Sequence, residues 1–107
     1  MRFFYLDPGL RNDVGHHANY CRYIAGELRN RGVETLVFGH DGVDTALQTE
    51  LGVAPHFRTY TYKEKDADPF CAWLTGFDKF ADLTREDLFR LPAIEPADVV
   101  FLSLIHI

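Results

Sequence analysis

Cysteine is scarce in this sequence of 107 residues, which contains only Cys21 and Cys71. Two isolated cysteines do not make the disulfide framework of a small secreted domain, and their spacing is not that of a metal site. Each lies in an apolar helical pattern, so we interpret both as reduced packing residues. The N-terminal sequence MRFFYLDPG has too short an apolar run for a signal peptide. These features together favour the cytoplasm.

Basic clusters and long apolar runs are also missing. The chain has 11 Lys and Arg residues against 16 Asp and Glu residues, for a formal net charge of −5, which argues against a general nucleic-acid binder. No stretch approaches the length of a membrane span, so we expect no integral membrane segment. Hydrophobic residues make up 47% of the chain, and such a composition and length suit one globular domain.

Several motifs of cofactor and catalytic sites do not occur. The first turn has neither the G-x-G-x-x-G of a dinucleotide site nor the G-x-x-x-x-G-K-[ST] of a P-loop. His16 and His17 are adjacent, whereas zinc-binding helices space their histidines by four residues. No serine or cysteine stands in a nucleophile elbow. We therefore predict no cofactor and no metal, and the sequence nominates no catalytic residue.

The chain is organised around residues 5–32. The apolar run at residues 3–6 predicts a strand covered on both faces, and the Pro8-Gly9 pair ends it. A helix should then begin near Gly15 or His16 and end at Gly32, a typical C-cap residue. Its apolar stripe consists of residues at helical spacing: Tyr20, Ile24 and Leu28, with Ala18, Cys21 and Ala25 beside them.

The remaining elements alternate in the same way. A β-branched run at residues 33–39 predicts a second strand, parallel to the first because a helix connects them. Further elements are a helix at 44–51, a strand at 57–62, a helix from Pro69, a helix at 84–91 opened by a capping box at Thr84, and a strand at 99–102. Between them, KEKDAD at residues 63–68 is a charged break.

This alternation predicts an α/β fold, a Rossmann-like and partial doubly wound parallel sheet. Right-handed crossovers place the first strand between the second and the last. The ligand is expected beyond the carboxyl ends of the strands. The predicted site for a donor phosphate or substrate consists of residues at that edge, with Asp13 and Asp41 nearby: Asp7, Gly9, Asn12, Gly15, His16, His17 and His40.

The helix start carries the functional prediction. Gly15 would let a phosphate or carboxylate approach the free N–H groups there. His16 or His17 could add a hydrogen bond to a donor phosphate or to an acceptor hydroxyl. In the simpler alternative, Gly15 only permits a tight turn and the histidines are solvated.

The last six residues, LSLIHI, look like the translation of a transposase adapter used in sequencing-library preparation. We therefore predict an incomplete domain at residues 1–101 and a non-native tail at 102–107, and we do not count His106 as a site residue. The alternative is an authentic long strand that continues to the end of the sequence.

The pattern DPGLRNDVGHHANYCRYIAGELRNRGVETLVFGH resembles the N-terminal domain of GT-B fold glycosyltransferases, in the broad group that includes family 4. Gly15, Ile24, Leu28 and Gly32 follow the outline of that group, in which a glycine loop precedes a helix that ends in glycine. Where the group has paired glycines, this chain has Gly15-His16. The resemblance covers residues 3 to about 102.

The resemblance implies an N-terminal, acceptor-side fragment of an enzyme that moves a sugar from a nucleotide-sugar donor to a sugar or lipid acceptor. The C-terminal donor domain would be missing, so the fragment is expected to be inactive alone. The alternative is a non-catalytic Rossmann-like module that binds a phosphorylated metabolite. The reading frame beyond this sequence discriminates them, because a second α/β domain with a nucleotide-sugar site would support the transferase.

Overall fold

The computed structural model describes residues 1–13, 16–58 and 81–103. In chain order, the secondary-structure elements are β1 (Arg2–Leu6), α1 (His16–Asn30), β2 (Glu34–His40), α2 (Thr45–Leu51), β3 (Val53–Phe57), helix α3, described over residues 81–89, and β4 (Val99–Leu102). The helix predicted from Pro69 and the second cysteine, Cys71, lie outside the described residues.

The described strands form one parallel sheet in the order β3-β2-β1-β4. Phe4 in β1 is in register with Leu36 in β2 on one side and with Val100 in β4 on the other. The prediction of an α/β parallel sheet with β1 in this position is confirmed. Because the chain runs outward from β1 to β3 and returns to β4, the strand order reverses beside β1, which is where doubly wound proteins bind ligands.

Both faces of β1 are covered, as its continuous apolar sequence predicts. On one face Tyr5 joins a buried cluster with residues of α1 and α2, such as Ala18 and Leu47. On the other face Phe4 and Leu6 pack with Phe57 and with the partly buried Leu88 and Leu91. Successive side chains of a strand point to opposite faces, so both helical layers depend on this one strand.

Helix α1 packs on the sheet through small side chains. Ala18, Cys21 and Ala25 are buried, and Ile24 packs against the same cluster. The prediction that Tyr20 belongs to the buried stripe is wrong, because its side chain is 47% exposed. Small residues let the helix approach the sheet closely, and this approach leaves the bulkier tyrosine at the rim.

The end of α1 confirms the predicted glycine cap. The Val33 N–H donates to the Leu28 carbonyl oxygen at 2.9 Å, and the Gly32 N–H donates to the Arg29 carbonyl oxygen at 3.0 Å. Gly32 has a φ of 80°, a left-handed conformation that favours glycine. This is the Schellman arrangement, and it turns the chain directly into β2.

The third strand begins earlier than predicted. It covers Val53–Phe57, whereas the sequence pattern predicted a strand at 57–62, of which residues 59–62 lie outside the described residues. Pro55 interrupts the pattern of the observed strand, because proline has no N–H to donate. Among the described strands β3 is an edge strand, and proline is tolerated there.

The predicted capping box at Thr84 is also wrong. Helix α3 already includes residue 81, and the buried Thr84 hydroxyl has no hydrogen-bond partner among the described residues. The buried Asp87 instead ties α3 to β3, because its carboxylate accepts hydrogen bonds from the Arg58 backbone N–H and from Arg58 Nε, both at 2.8 Å. Periodicity showed that the segment is helical but did not show this ion pair.

Strand β4 is anchored at its start and exposed along its length. Arg2 Nη2 donates to Asp98 Oδ2 at 2.7 Å, and the Ser103 N–H donates to the Leu6 carbonyl oxygen at 2.8 Å. All four residues of the strand, Val99–Leu102, are exposed. Residues 104–107 lie outside the described residues, and the assignment of 102–107 to a non-native tail stays a prediction.

Candidate functional site

The loop after β1 folds over the carboxyl end of β2. The Asp7 N–H donates to the Phe38 carbonyl oxygen at 2.9 Å, and the His40 N–H donates to the Leu10 carbonyl oxygen at 3.0 Å. A Cβ at Gly39 would stand 2.8 Å from Val53 Cγ1 and 2.9 Å from the Leu10 carbonyl oxygen. Gly39 is therefore required for the close approach that sets the floor of the site.

A buried carboxylate and a histidine form the centre of the site. Asp7 follows β1 directly and is fully buried. Its Oδ1 accepts a hydrogen bond from the Gly9 N–H at 3.0 Å. His17 Nδ1 lies 3.0 Å from Asp7 Oδ1 and 2.8 Å from Asp7 Oδ2. Since His17 is in the first turn of α1, this contact joins the end of β1 to the start of the helix.

Gly9 packs closely against the imidazole ring of His17. A Cβ at Gly9 would lie 2.6 Å from His17 Cε1 and 2.8 Å from Nε2. The His17 side chain keeps 23% of its exposure, and no hydrogen bond to Nε2 occurs among the described residues. The ring is thus held between Asp7 and Gly9, and part of its side chain stays exposed.

The electrostatics of the site follow from its burial. Burial raises the pKa of Asp7, although the hydrogen bonds from His17 and the Gly9 N–H oppose this rise. Burial, and secondarily the Asp7 carboxylate, raises the pKa of the Cys21 thiol to about 11 and that of the Tyr5 phenol above its ordinary value. Cys21 and Tyr5 are therefore neutral at physiological pH.

Two hydroxyl groups are buried near Asp7. The Tyr5 and Ser103 hydroxyls have no hydrogen-bond partner among the described residues. Ser103 lies near enough to lower the Tyr5 pKa slightly against the larger effects of burial and Asp7, but the two hydroxyls do not reach hydrogen-bonding geometry. Buried polar groups are normally paired. Because Ser103 belongs to the predicted tail, Tyr5 is the member of this pair assigned to the native domain.

The structure gives His40 a local role. It is buried, and its Nδ1 accepts a hydrogen bond from the Gly42 N–H at 2.9 Å. Nδ1 also lies 3.3 Å from Asp41 Oδ1, but the shorter contact to the amide makes this nitrogen an acceptor. These contacts close the turn after β2.

The other predicted site residues do not join the contact between Asp7 and His17. His16 is exposed, with its ring 6.0 Å from that of Tyr20, and Asn12 is exposed in the loop before α1. Gly15 lies outside the described residues, so its predicted approach to a phosphate stays a prediction. The structure thus joins Asp7, Gly9 and His17 in direct contact.

Sequence reasoning missed the residue that fastens the loop before α1. Arg22 Nη2 donates to Asp13 Oδ2 at 2.8 Å, and Arg22 Nε donates to Glu50 Oε1 at 2.7 Å. These hydrogen bonds lower the pKa of both carboxyl groups. In the sequence, only the spacing of Arg22 from Asp13 could have indicated the bridge. Such exposed ion pairs contribute little to stability.

Comparisons with protein-family models, with curated proteins and with solved structures found no match to this chain. Within the described ranges 1–13, 16–58 and 81–103, no three His, Cys, Asp or Glu side chains come together as a metal-ligand set. No helix in this part of the chain is long and apolar enough to cross a membrane. The contact between Asp7 and His17 gives the site a histidine that is oriented by a carboxylate.

Proposed function

We propose that this chain is the N-terminal, acceptor-side fragment of a glycosyltransferase that moves a sugar from a nucleotide-sugar donor to a sugar or lipid acceptor. The observation that carries the proposal is the contact between Asp7 and His17 at the carboxyl edge of β1. This is the edge of a Rossmann-like sheet at which the strand order reverses and at which such folds bind ligands.

Sugar transfer makes two demands that this edge can meet. The acceptor hydroxyl must lose a proton, and a histidine is the most common group for that task. The departing diphosphate gains negative charge, and free N–H groups at a helix start stabilise such charge. His17 lies in the first turn of α1, so both functions would come from one short region. No cofactor is needed for this chemistry.

Two further parts of the proposal are a missing donor domain and the cellular compartment. The nucleotide-sugar site would come from a C-terminal donor domain, so the 107-residue chain should catalyse no transfer by itself. Cys21 is buried with a free thiol, which agrees with a reducing compartment, and we propose the cytoplasm.

The test is a kinetic comparison in the protein encoded by the intact genomic locus. Transfer from nucleoside diphosphate sugars is measured for the wild type and for Asp7→Asn, His17→Gln and His56→Gln. His56 is the matched control, because its Nε2 contacts the Asp87 carbonyl oxygen at 2.6 Å on the other face of the sheet. We expect His17→Gln and Asp7→Asn to lose about 10²-fold or more in kcat/KM, the usual contribution of a proton-transfer group. His56→Gln should keep its activity.

Two results would overturn the proposal. One is an intact reading frame that carries no second α/β domain and a protein that transfers no sugar from any nucleotide donor. Saturable binding of a phosphorylated metabolite by such a protein would support the alternative of a non-catalytic binding module. The other is full transfer activity in both Asp7→Asn and His17→Gln, which would place the reaction at a different edge.

A further inference from the structure

The loop after β1 crosses the end of β2 on its way to α1, and its backbone is tied there. Residues 10–13 of this loop, which we call the strap, supply the acceptors. The His40 N–H donates to the Leu10 carbonyl oxygen at 3.0 Å, and the Asp44 N–H donates to the Arg11 carbonyl oxygen at 2.7 Å. Asp44 directly precedes α2. The strap therefore borders the candidate site on the side of β2 and α2.

One side chain of α1 holds the end of the strap. Arg22 Nη1 donates to Asp13 Oδ1 at 3.0 Å, and Nη2 donates to Asp13 Oδ2 at 2.8 Å. Arg22 Nε also donates to Glu50 Oε1 at 2.7 Å, and Nη2 donates to Glu50 Oε2 at 3.1 Å. Each carboxylate thus accepts two hydrogen bonds from the planar guanidinium, a geometry that lysine cannot provide. Since Glu50 belongs to α2, Arg22 connects the strap with both helices.

The two carboxylates share this one cation, so the contact is more than a tether. The hydrogen bond from Arg22 lowers the pKa of Glu50, whereas the nearby charge of Asp13 opposes this shift. Without Arg22 the two like charges would face each other, and their repulsion would push the strap away from α2. All three side chains are partly exposed to solvent. Their attraction and their repulsion are therefore both sensitive to salt.

We propose that Arg22 is a releasable clamp, which holds the strap against α2 while its charge is unscreened and whose loss lets the repulsion between Asp13 and Glu50 move this wall of the candidate site. Arg22 acts through Asp13, so it is a positioning residue. An exposed clamp opens at little cost in global stability, as is typical of loops that border ligand sites. The device is independent of which reaction takes place at this edge.

Amide hydrogen exchange of the 107-residue chain measures the strap directly, because the His40 and Asp44 N–H groups have their acceptors in it. The Asp41 N–H is the internal reference, since it donates to the Phe57 carbonyl oxygen at 2.8 Å. In Arg22→Gln, exchange at Asp44 should accelerate about threefold to tenfold, the range that exposed ion pairs can produce. The effect at His40 should be smaller, because its acceptor lies further from the clamp. Asp41 should keep its wild-type rate.

Arg31→Gln is the matched control. It removes the same charge directly after α1 and breaks an exposed ion pair, because Arg31 Nε donates to Glu27 Oε1 at 2.9 Å. None of the three exchange rates should change in this variant. Arg22→Lys should fall between the wild type and Arg22→Gln, because lysine keeps the charge and loses the fork. Equal acceleration in Arg31→Gln and Arg22→Gln would make net charge the cause and overturn the proposal.

A double variant separates repulsion from the loss of a tether. Arg22→Gln leaves Asp13 and Glu50 as like charges without their shared cation. Glu50→Gln added to Arg22→Gln removes that repulsion, so the Asp44 amide should return most of the way to its wild-type exchange rate. If the double variant exchanges as fast as Arg22→Gln alone, repulsion does not move the strap and the proposal is wrong.

Salt tests the clamp with opposite signs in two proteins. Between about 0.01 M and about 1 M salt, the screening length falls from about 30 Å to about 3 Å. In the wild type, screening weakens the clamp, so the exchange rate of Asp44 relative to Asp41 should rise. In Arg22→Gln, screening weakens the repulsion instead, so the same ratio should fall. A ratio that responds to salt in the same direction in both proteins would contradict the clamp.

Discussion

Gly9 lies directly beneath the ring of His17, so close that a Cβ on Gly9 would stand 2.6 Å from Cε1 of the ring. The nearest atoms belong to the far end of a side chain and not to the backbone. An added methyl group would therefore displace the imidazole before it displaced the loop. The glycine thus holds the histidine against Asp7 without any hydrogen bond of its own to the ring.

Gly9→Ala should break the contact between Asp7 and His17 and leave the fold intact. The free energy of unfolding should fall by no more than about 1–3 kcal/mol, since a buried carboxylate loses one partner. The His17 ring signals in NMR should shift, and activity of the intact-locus protein should drop about tenfold or more. Gly26→Ala on α1, where nothing lies within 4 Å of the added Cβ, is the control and should change neither the His17 ring signals nor the activity. An unshifted His17 ring in Gly9→Ala would contradict this packing.

Gly39→Ala should act on stability instead. Its Cβ would meet Val53 Cγ1 at 2.8 Å and the Leu10 carbonyl oxygen at 2.9 Å, and one of these is backbone. Overpacking of this kind costs about 1–3 kcal/mol, to be measured by urea unfolding. Gly26→Ala is again the comparison, and it should stabilise the chain by about 0.5–1 kcal/mol because alanine is favoured over glycine inside a helix. Equal stability of the two variants would mean that the loop after β1 does not press on β2.

Asp98 and Asp7 should affect stability in opposite directions as pH changes. The hydrogen bond from Arg2 lowers the pKa of Asp98 to about 2, so its contribution is present above the ordinary value of 3.8 and is lost as pH falls toward 2. Burial raises the pKa of Asp7, so its contribution is complete below 3.8 and declines as pH rises through the raised pKa.

Melting temperatures of Asp98→Asn and Asp7→Asn relative to the wild type check this pair. Asp98→Asn should be destabilising at neutral pH, and its deficit should shrink in acid. Asp7→Asn should gain stability relative to the wild type as the pH rises above 3.8. If the difference in melting temperature from the wild type changed with pH in the same direction for both variants, Asp7 and Asp98 would not have opposite effects on stability.

Strand β4 should make the isolated chain self-associate. Val99 is 42% exposed and Val100 is 45% exposed, and no described strand pairs with the outer edge of β4. An uncharged apolar edge invites pairing with another chain. Val100→Lys should therefore shift the chain toward monomer in analytical ultracentrifugation. Tyr23→Lys, at a residue that is 82% exposed on α1, adds the same charge and should have a smaller effect. If both variants disperse the chain equally, net charge and not the strand edge is the cause.

Local patterns predicted much of the fold because each depends on neighbouring residues. The four-residue spacing along α1 and the glycine at its end act within one helix, and Gly32 has the expected left-handed conformation. The short apolar runs alternating with helices were enough to predict a parallel sheet with β1 inside it. The same reasoning failed at Pro55, where position in the sheet overrode a local signal. It failed also at the predicted capping box, where the Asp87 carboxylate binds the distant Arg58 and does not serve the start of the helix.

The candidate site, like the fold, could be predicted from the sequence only in part. Asp7 and His17 were predicted as site residues by the sequence alone, because one follows a strand and the other begins the helix after it. Their contact, the ring of His17 above Gly9 and the clamp of Arg22 on Asp13 and Glu50 were decided only by the tertiary structure. Periodicity reports which face of an element is apolar, whereas distances between side chains depend on how closely two elements pack. The small residues of α1 set that distance, and it brings His17 to Asp7.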